Sequence, residues 1–301
     1  MSKILISVIV SFLFINEIIS QEIVPIEEQF IQTTALITGI NSKTGEFSKG
    51  TGFFYRDNSL LPQSILLITN KHIVQNKDKF LITFNRIDDL GKIYGNKKIV
   101  ELTDKTKMWQ YHPDPKVDLC YLDISQIISF FHSRGINLST RSLTKGLIPN
   151  DSIWNSMTVL EYVIMIGYPN GISDQKNNIP IIRTGVTATP PKLDYNGLSE
   201  FLIDIAAFPG SSGSPVIIRR MPYNARNTST GVAVGFFPEY YLAGILQSGP
   251  TYSPKIKELS FNSLDEITDS LKLETNITIN LGNVIKSKEI SRMILLNKSK
   301  E

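Results

Sequence analysis

The apolar residues after position 31 occur in short runs of four to eight, and this pattern predicts a β-protein. The runs are rich in Ile, Val, Thr, Phe and Tyr, and Gly, Pro, Asn or Asp separates each run from the next. The pattern predicts strands over 33–38, 52–55, 64–69, 80–84, 119–124, 159–166, 181–186, 201–205, 216–218, 231–236 and 242–246. Many short strands of this kind are typical of barrels and sandwiches.

Helical periodicity appears only late in the chain. Ser263 with Glu266 resembles a capping box, and Ile290, Met293 and Ile294 stand at helix spacing. We expect both helices to be peripheral. The polar, turn-rich stretch over 133–151 predicts a linker between two all-β halves.

The first twenty residues differ from the rest of the chain. A mostly apolar run, Ile4–Ile15, follows Lys3, and the small residue Ser20 stands before Gln21. The run is shorter than the roughly 20 residues that span a bilayer. It predicts a signal peptide over residues 1–20, with an uncleaved anchor or a buried strand as alternatives. We therefore expect a secreted or periplasmic protein without stable membrane insertion.

Composition narrows the function classes. The chain has 301 residues, of which 42% are hydrophobic, and this excludes a disordered, collagen-like or coiled-coil protein. A net charge of +3 is too balanced to indicate a nucleic-acid partner. Cys120 is the single cysteine, so no intramolecular disulfide can form, and we expect it to be a small buried side chain. No metal or organic cofactor is expected.

The segment FPGSSGSPV over 208–216 is the sharpest chemical signal. It joins two apolar strands through glycines that flank serines. Such a turn exposes a hydroxyl beside converging backbone amides, as a nucleophilic serine and its oxyanion require. Ser212 is the best-placed nucleophile, because Gly210 allows an amide to turn inward and Gly213 avoids crowding the substrate. The alternative is a plain Gly/Ser hairpin turn.

A serine nucleophile needs a base, and the chain has three histidines, all before Ser212. This order excludes an α/β-hydrolase, in which the histidine follows the serine. His72 closes a predicted strand and is expected to face a cleft, although it could be an ordinary surface residue. His112 and His132 stand in polar segments, and we expect both to be solvated.

The third group is a carboxylate that orients the imidazole. Asp118 stands directly before a predicted strand, whereas Asp114 is expected in a turn and Asp123 in solvent. The separations are 46 positions from His72 to Asp118 and 94 from Asp118 to Ser212. They are close to those of the His-Asp-Ser order found in serine proteases.

Four motifs together resemble a trypsin-like serine peptidase of the chymotrypsin fold and of the bacterial secreted type. They are GTGFF at 50–54, ITNKHIV at 68–74, VDL at 117–119 and GSSGSPV at 210–216. The resemblance implies an all-β protein of two packed six-stranded antiparallel β-barrels with a short C-terminal helix. The first barrel would span 21–140 and the second, with the helix, 141–301, and the cleft would lie between them.

The resemblance also implies a primary specificity pocket. Its floor and wall would be formed by Ala206, Ala207, Leu246, Gln247, Ser248 and Gly249. These residues carry no charge, so we expect small or medium apolar side chains to be accepted and both basic and acidic ones to be rejected. Ser211 replaces the aspartate that pairs with a new N-terminus in zymogen-type members, so activation by that route is not expected.

The sequence therefore predicts a serine endopeptidase acting on a protein or peptide substrate. Ser212 would attack the peptide carbonyl, His72 would transfer the proton and Asp118 would orient His72. The amides of Gly210 and Ser212 would form the oxyanion hole. A catalytically silent scaffold or binding module of the same fold is one alternative. An esterase with the same triad is another.

Overall fold

The computed structural model describes residues 25–103, 108–228, 231–249, 251–252 and 277–299. The predicted signal peptide over 1–20 and the predicted capping box at Ser263 and Glu266 lie outside these residues. Strands dominate the described part of the chain, and its helices are short. They are α1 (Ile26–Phe30), α2 (Lys71–Val74), α3 (Ser125–His132), α4 (Asp151–Ser156) and α5 (Lys288–Lys298).

The first half forms an eight-stranded sheet. Its strands are β1 (Thr34–Ile40), β2 (Phe47–Arg56), β3 (Leu66–Thr69), β4 (Lys79–Ile87), β5 (Ile93–Thr103), β6 (Gln110–Tyr111), β7 (Cys120–Asp123) and β8 (Leu143–Thr144). The strand order is β5-β4-β1-β2-β3-β7-β6, and β8 pairs in parallel with β2. The strands at the two ends of this order, β5 and β6, are consecutive in the chain.

The second half has six strands in one sheet, β9 (Tyr162–Gly167), β10 (Ile181–Thr187), β11 (Glu200–Asp204), β12 (Pro215–Arg220), β15 (Glu239–Ser248) and β18 (Leu281–Lys286). They form a closed barrel with the strand order β10-β11-β18-β15-β12-β9. Two separate two-stranded sheets accompany it. They consist of β13 (Tyr223–Thr228) with β14 (Gly231–Phe236) and of β16 (Thr251–Tyr252) with β17 (Ile277–Thr278).

The buried side chains form three apolar clusters, one inside each half and one between the halves. Alternation along a strand sends neighbouring side chains to different clusters. On β3, Leu67 packs inside the first half, whereas Leu66 and Ile68 face the cluster between the halves. On β9, Met165 packs inside the barrel and Ile166 between the halves. Strands buried on both faces therefore read as continuous apolar runs.

The predicted fold class is confirmed, since all eleven predicted strands overlap observed ones and the second half is a closed six-stranded barrel. The first half has eight strands rather than six. The predicted domain boundary at residue 140 stays a prediction. The C-terminal helix is present as α5, but Ile290, Met293 and Ile294 are fully buried between the halves rather than peripheral. Within the described ranges, no helix is both long and apolar enough to span a membrane.

Candidate active site

His72 and Asp118 are brought together by the pairing of β3 with β7. Thr69 at the end of β3 lies opposite Cys120 at the start of β7. His72 follows in α2, and Asp118 precedes β7 by two positions. The Asp118 Oδ2 atom lies 2.6 Å from His72 Nδ1, and Oδ1 accepts the backbone N–H of His72 at 3.0 Å. One carboxylate thus holds both the ring and the backbone of the histidine.

This arrangement fixes the role that each imidazole nitrogen can take. When Nδ1–H donates to Asp118, Nε2 carries the free lone pair and can accept a proton. The His72 side chain is 48% exposed, whereas that of Asp118 is only 15% exposed. Asn70, which sequence analysis did not identify, donates from its side chain to the Asp118 backbone oxygen at 2.8 Å. The His72 imidazole is therefore exposed to solvent, whereas the Asp118 carboxylate that contacts it is largely buried.

Ser212 stands in the connection between β11 and β12, in a turn shaped by two glycines. Gly210 and Gly213 have φ angles of +87° and +85°, in the left-handed region. A Cβ atom on Gly210 would lie 2.5 Å from the Tyr168 oxygen, and one on Gly213 would lie 1.9 Å from the Thr51 oxygen. Gly213 therefore avoids a clash with the first sheet, and its predicted role in leaving room for a substrate stays a prediction.

The three serines of this turn differ in exposure. Ser211 and Ser214 are fully buried, and the Oγ atoms of both lack a hydrogen-bond partner. Ser212 alone of the three is partly exposed. Among the hydrogen bonds of the described residues, none joins Ser212 Oγ to His72 Nε2. Ser212 is therefore the accessible hydroxyl, as the sequence predicts.

The Ser212 turn is bonded directly to the sheet that carries His72. The backbone N–H of Thr51 donates to the Ser212 oxygen at 2.8 Å. The Thr51 oxygen in turn accepts the hydroxyl of Thr69, three positions before His72, at 2.7 Å. Strand β2, which carries Thr51, thus links the serine turn to the end of β3.

The backbone amides of Gly210 and Ser212 donate no hydrogen bond to any group in the described part of the chain. Free, fixed amides are what an oxyanion hole requires. The Asn170 amide donates to the Pro209 oxygen at 2.5 Å. Because N–H and C=O point in opposite directions across a trans peptide, this bond turns the Gly210 N–H away from Asn170.

The residues predicted for the specificity pocket occupy two adjoining segments. A Cβ atom on Gly249 would lie 2.9 Å from the Ala207 Cβ, so the two segments touch. The side chains of Leu246 and Ala207 pack in the barrel cluster. Ala206 and Gln247 are half-buried, and Ser248 is exposed.

Arg183 on β10 also reaches this region, and sequence analysis did not identify it. Its guanidinium donates to the Ala206 oxygen. The same group lies 5.1 Å from the centroid of the Phe208 ring. The predicted pocket therefore has a cation at its edge.

The prediction that His112 is solvated is wrong. His112 is buried, and its Nε2 lies 3.3 Å from Oε2 of buried Glu289 on α5. His132 and Asp123 are exposed as expected. Cys120 is fully buried, and burial raises the pKa of its thiol well above the usual range.

The described residues contain no group of three or more His, Cys, Asp or Glu side chains arranged to hold a metal ion. Two cavities, of about 240 and 540 Å³, lie away from His72 and Ser212. The smaller lies between α1 and strands β9 and β10, and the larger between β5 and α3.

No curated protein matches the chain. Among solved structures, the active form of a protease from M. tuberculosis is 13% identical, with 90% of this chain and 83% of that one covered and a TM-score of 0.45. A thermostable serine protease from an extremophilic microorganism is 11% identical, with 91% and 100% covered and a TM-score of 0.45. A scabies mite inactivated protease paralogue is 12% identical, with 91% and 97% covered and a TM-score of 0.44.

A sequence profile of the trypsin-like peptidase domain matches residues 50–220. This range includes His72, Asp118 and Ser212, and it covers more than half of the chain. The chain therefore belongs to the trypsin-like peptidase domain family.

Proposed function

We propose that the protein is a serine endopeptidase with Ser212 as nucleophile, His72 as general acid and base, and Asp118 as the group that orients His72. Ser212 Oγ attacks the peptide carbonyl while His72 Nε2 removes its proton, and Asp118 stabilises the resulting imidazolium. His72 then donates this proton to the amine as the peptide C–N bond breaks. The acyl group stays bonded to Ser212 as an acyl-enzyme. Water activated by His72 releases the acyl group and restores Ser212.

The observation that carries the proposal is that Asp118 binds both the ring and the backbone of His72. A carboxylate that contacts both Nδ1 and the backbone amide fixes the ring and leaves Nε2 as the proton acceptor. The unpaired amides of Gly210 and Ser212 support an oxyanion site beside the one accessible serine of the turn. A silent scaffold would need none of these features.

A fluorophosphonate label and a peptide substrate test the proposal. We expect the wild-type protein to form one covalent adduct, located at Ser212, and to cleave peptides. Ser212→Ala should abolish the adduct and lower the rate by about 10⁶, because the nucleophile is lost.

Ser214→Ala is the matched control. Ser214 is fully buried and its hydroxyl lacks a partner, so the same substitution there should leave labelling intact. A wild-type protein that neither labels nor cleaves would be a silent scaffold. A protein that labels and hydrolyses esters but no peptide would be an esterase.

We propose further that the enzyme prefers small, uncharged residues before the cleaved bond. The contact of Ala207 with Gly249 supports a narrow pocket. The guanidinium of Arg183 beside Ala206 adds electrostatic repulsion against Lys or Arg. The same guanidinium would attract a carboxylate.

A peptide library with all side chains at the position before the cut tests this preference. We expect Ala, Val and similar residues to dominate the products. Dominant cleavage after Lys or Arg would overturn the pocket assignment. Dominant cleavage after Asp or Glu, abolished in Arg183→Gln, would instead assign an acidic preference to Arg183.

We also propose that the protein is exported, with residues 1–20 as its signal peptide. The support is the short apolar run after Lys3. N-terminal sequencing of protein recovered from the exported fraction should begin at Gln21. Recovery of the intact N-terminus in the membrane fraction would favour an uncleaved anchor.

A further inference from the structure

Thr51 has an unusual set of hydrogen bonds for a residue inside a strand. It is fully buried on β2. Its hydroxyl donates to the Gly210 oxygen at 2.9 Å and accepts the backbone N–H of Tyr168 at 3.1 Å. Its own N–H donates to the Ser212 oxygen, and its oxygen accepts the Thr69 hydroxyl. One residue therefore joins both halves of the molecule.

The two glycines beside Thr51 make this position possible. A Cβ atom on Gly50 would lie 2.1 Å from the Ile73 side chain, and one on Gly52 would lie 2.6 Å from Ile37. Both distances are too short for a larger residue. Strand β2 is thus packed closely on either side of Thr51, so its hydroxyl is held in one place.

The partners of the hydroxyl are the two segments that surround the proposed oxyanion donor. Tyr168 begins the short turn in which the Asn170 amide binds the Pro209 oxygen. Gly210 supplies the proposed donor itself. The Pro209 carbonyl therefore accepts the Asn170 amide, and the carbonyl of Gly210 itself accepts the Thr51 hydroxyl.

Gly210 needs this external support. Its φ of +87° lies in a region that glycine leaves readily, since no Cβ restricts it. The next residue provides no side-chain anchor, because the buried Ser211 Oγ has no hydrogen-bond partner. The two carbonyl contacts, together with the hydrogen bond from the Ser211 N–H to the Phe208 oxygen at 2.9 Å, fix the peptide planes on either side of Gly210.

We propose that the Thr51 hydroxyl is a positioning group that holds the amides of Gly210 and Ser212 in the orientation that receives the oxyanion. This inference rests on the proposed peptidase function. Thr51 does not touch the substrate and acts only through the serine turn. Its loss should weaken binding of the transition state more than binding of the substrate.

The test replaces the hydroxyl with a methyl group of similar size. Thr51→Val keeps the backbone bond to Ser212 but removes the bonds to Gly210 and Tyr168. We expect kcat to fall about 100-fold, the loss that a small misplacement of a catalytic group produces, with KM nearly unchanged. The affinity of a peptidyl trifluoromethyl ketone, which forms the oxyanion on the enzyme, should fall by the same factor. Thr51→Ser should restore both quantities.

Thr34→Val is the matched control. Thr34 is also buried, on neighbouring β1, but its hydroxyl has no hydrogen-bond partner. The same chemical change there should leave kcat and ketone affinity at the wild-type values. If Thr51→Val does not fold, Thr51→Ala and Thr51→Ser provide the same comparison, because they differ only in the hydroxyl.

The outcomes separate this inference from the proposed function. Wild-type protein that neither labels nor cleaves peptides would overturn both. If the wild type is active, and Thr51→Val or Thr51→Ala has the same kcat and ketone affinity as the wild type, the role of Thr51 alone is overturned. A decrease in the free energy of unfolding with kcat unchanged would mean that Thr51 stabilises the fold but does not position the amides.

Discussion

At the scale of single residues, Asp118 divides its two oxygens between two tasks. Oδ1 receives the backbone amide of His72, and Oδ2 lies against the ring. An asparagine can keep the first contact through its own oxygen, but it then turns an NH₂ group towards Nδ1. The imidazole would respond by carrying its proton on Nε2, the atom that accepts the proton of Ser212 in the proposed mechanism.

Asp118→Asn should therefore lower kcat by about 10⁴ while the fold and KM stay close to wild type. The measurement is steady-state kinetics on a peptide, with urea unfolding as the check on stability. A loss of less than tenfold would mean that Asp118 does not set the tautomer of His72.

Cys120 illustrates a residue whose chemistry is suppressed by its surroundings. Its thiol is fully buried and donates weakly to the Thr69 oxygen at 3.7 Å. Burial raises the pKa of the thiol, and the nearby Asp118 adds to this effect. The thiolate, which is the reactive form, is therefore rare in the folded protein.

A thiol reagent such as Ellman's reagent at pH 8 should react slowly with the native protein and at once after unfolding in urea. Full reaction of the native protein within minutes would show that β7 separates readily from β3.

At the scale of elements, α5 docks on the loop that leads to Asp118. The buried Glu289 carboxylate lies 3.3 Å from Nε2 of buried His112, and the Asn297 side chain donates to the Tyr111 oxygen at 3.0 Å. The hydrogen bond from His112 lowers the pKa of the Glu289 carboxyl, against burial, which raises it. The folded state therefore favours the ionised carboxylate.

The lowered pKa of Glu289 determines how the contribution of this residue to stability changes with pH. The stabilisation by Glu289 should be fully present above its ordinary pKa of 4.5 and should be lost as the pH falls through the lower folded-state value. Glu289→Gln should lower the free energy of unfolding by about 1 to 3 kcal/mol at pH 7, because a neutral amide replaces the buried carboxylate that faces His112. The difference should shrink below pH 4.5, as measured by urea unfolding at several pH values.

Arg292→Gln is the control for this effect. Arg292 contacts the same carboxylate at 3.6 Å, but its side chain is 59% exposed. Its removal should cost at most about 1 kcal/mol. An equal loss in both variants would assign the effect to the contact between Glu289 and Arg292 rather than to the buried contact with His112.

The same elements show what local sequence can and cannot reveal. Strands such as β3 and β9 were predictable because burial on both faces leaves unbroken apolar runs. Strand β5 was missed because Lys97, Lys98 and a glycine interrupt its pattern, and β18 because its apolar stretch is too short.

The burial of His112 and the role of Thr51 depend on partners far along the chain, and no local signal encodes such partners. His72 and Asp118 could be proposed from the sequence because each stands within three positions of a strand, and Ser212 because it stands in a short Gly/Ser motif between two strands. Asn70 stands beside His72, but its contact with Asp118 requires the pairing of β3 with β7.

At the scale of the whole molecule, the cluster between the halves makes them dependent on each other. It combines side chains from β2, β3 and β7 with others from β9, β12, β15, β18 and α5. Neither half can bury these residues alone. Exposing them would cost each half much of its hydrophobic stabilisation.

We therefore expect one cooperative unfolding transition. The chain has two tryptophans, Trp109 inside the first half and Trp154 inside the barrel. Trp109→Phe and Trp154→Phe each leave a fluorescent reporter in one half, so the two variants follow the halves separately. Their urea transitions should coincide after correction for the change in the free energy of unfolding that each substitution itself causes. Separate midpoints would show that the halves unfold independently.

The position of α5 also bears on the order in which a ribosome releases the chain. Lys298 donates to the Leu60 oxygen, which precedes it by 238 positions, and Ile290 and Met293 cover strands made much earlier. One face of the first sheet therefore stays partly uncovered until the barrel strands and α5 have been synthesised. Until the serine turn over 208–216 has been synthesised, His72 and Asp118 stand without Ser212. On the proposed mechanism, the nascent chain cannot cut the proteins around it before that point, and the cluster between the halves is complete only when α5 follows.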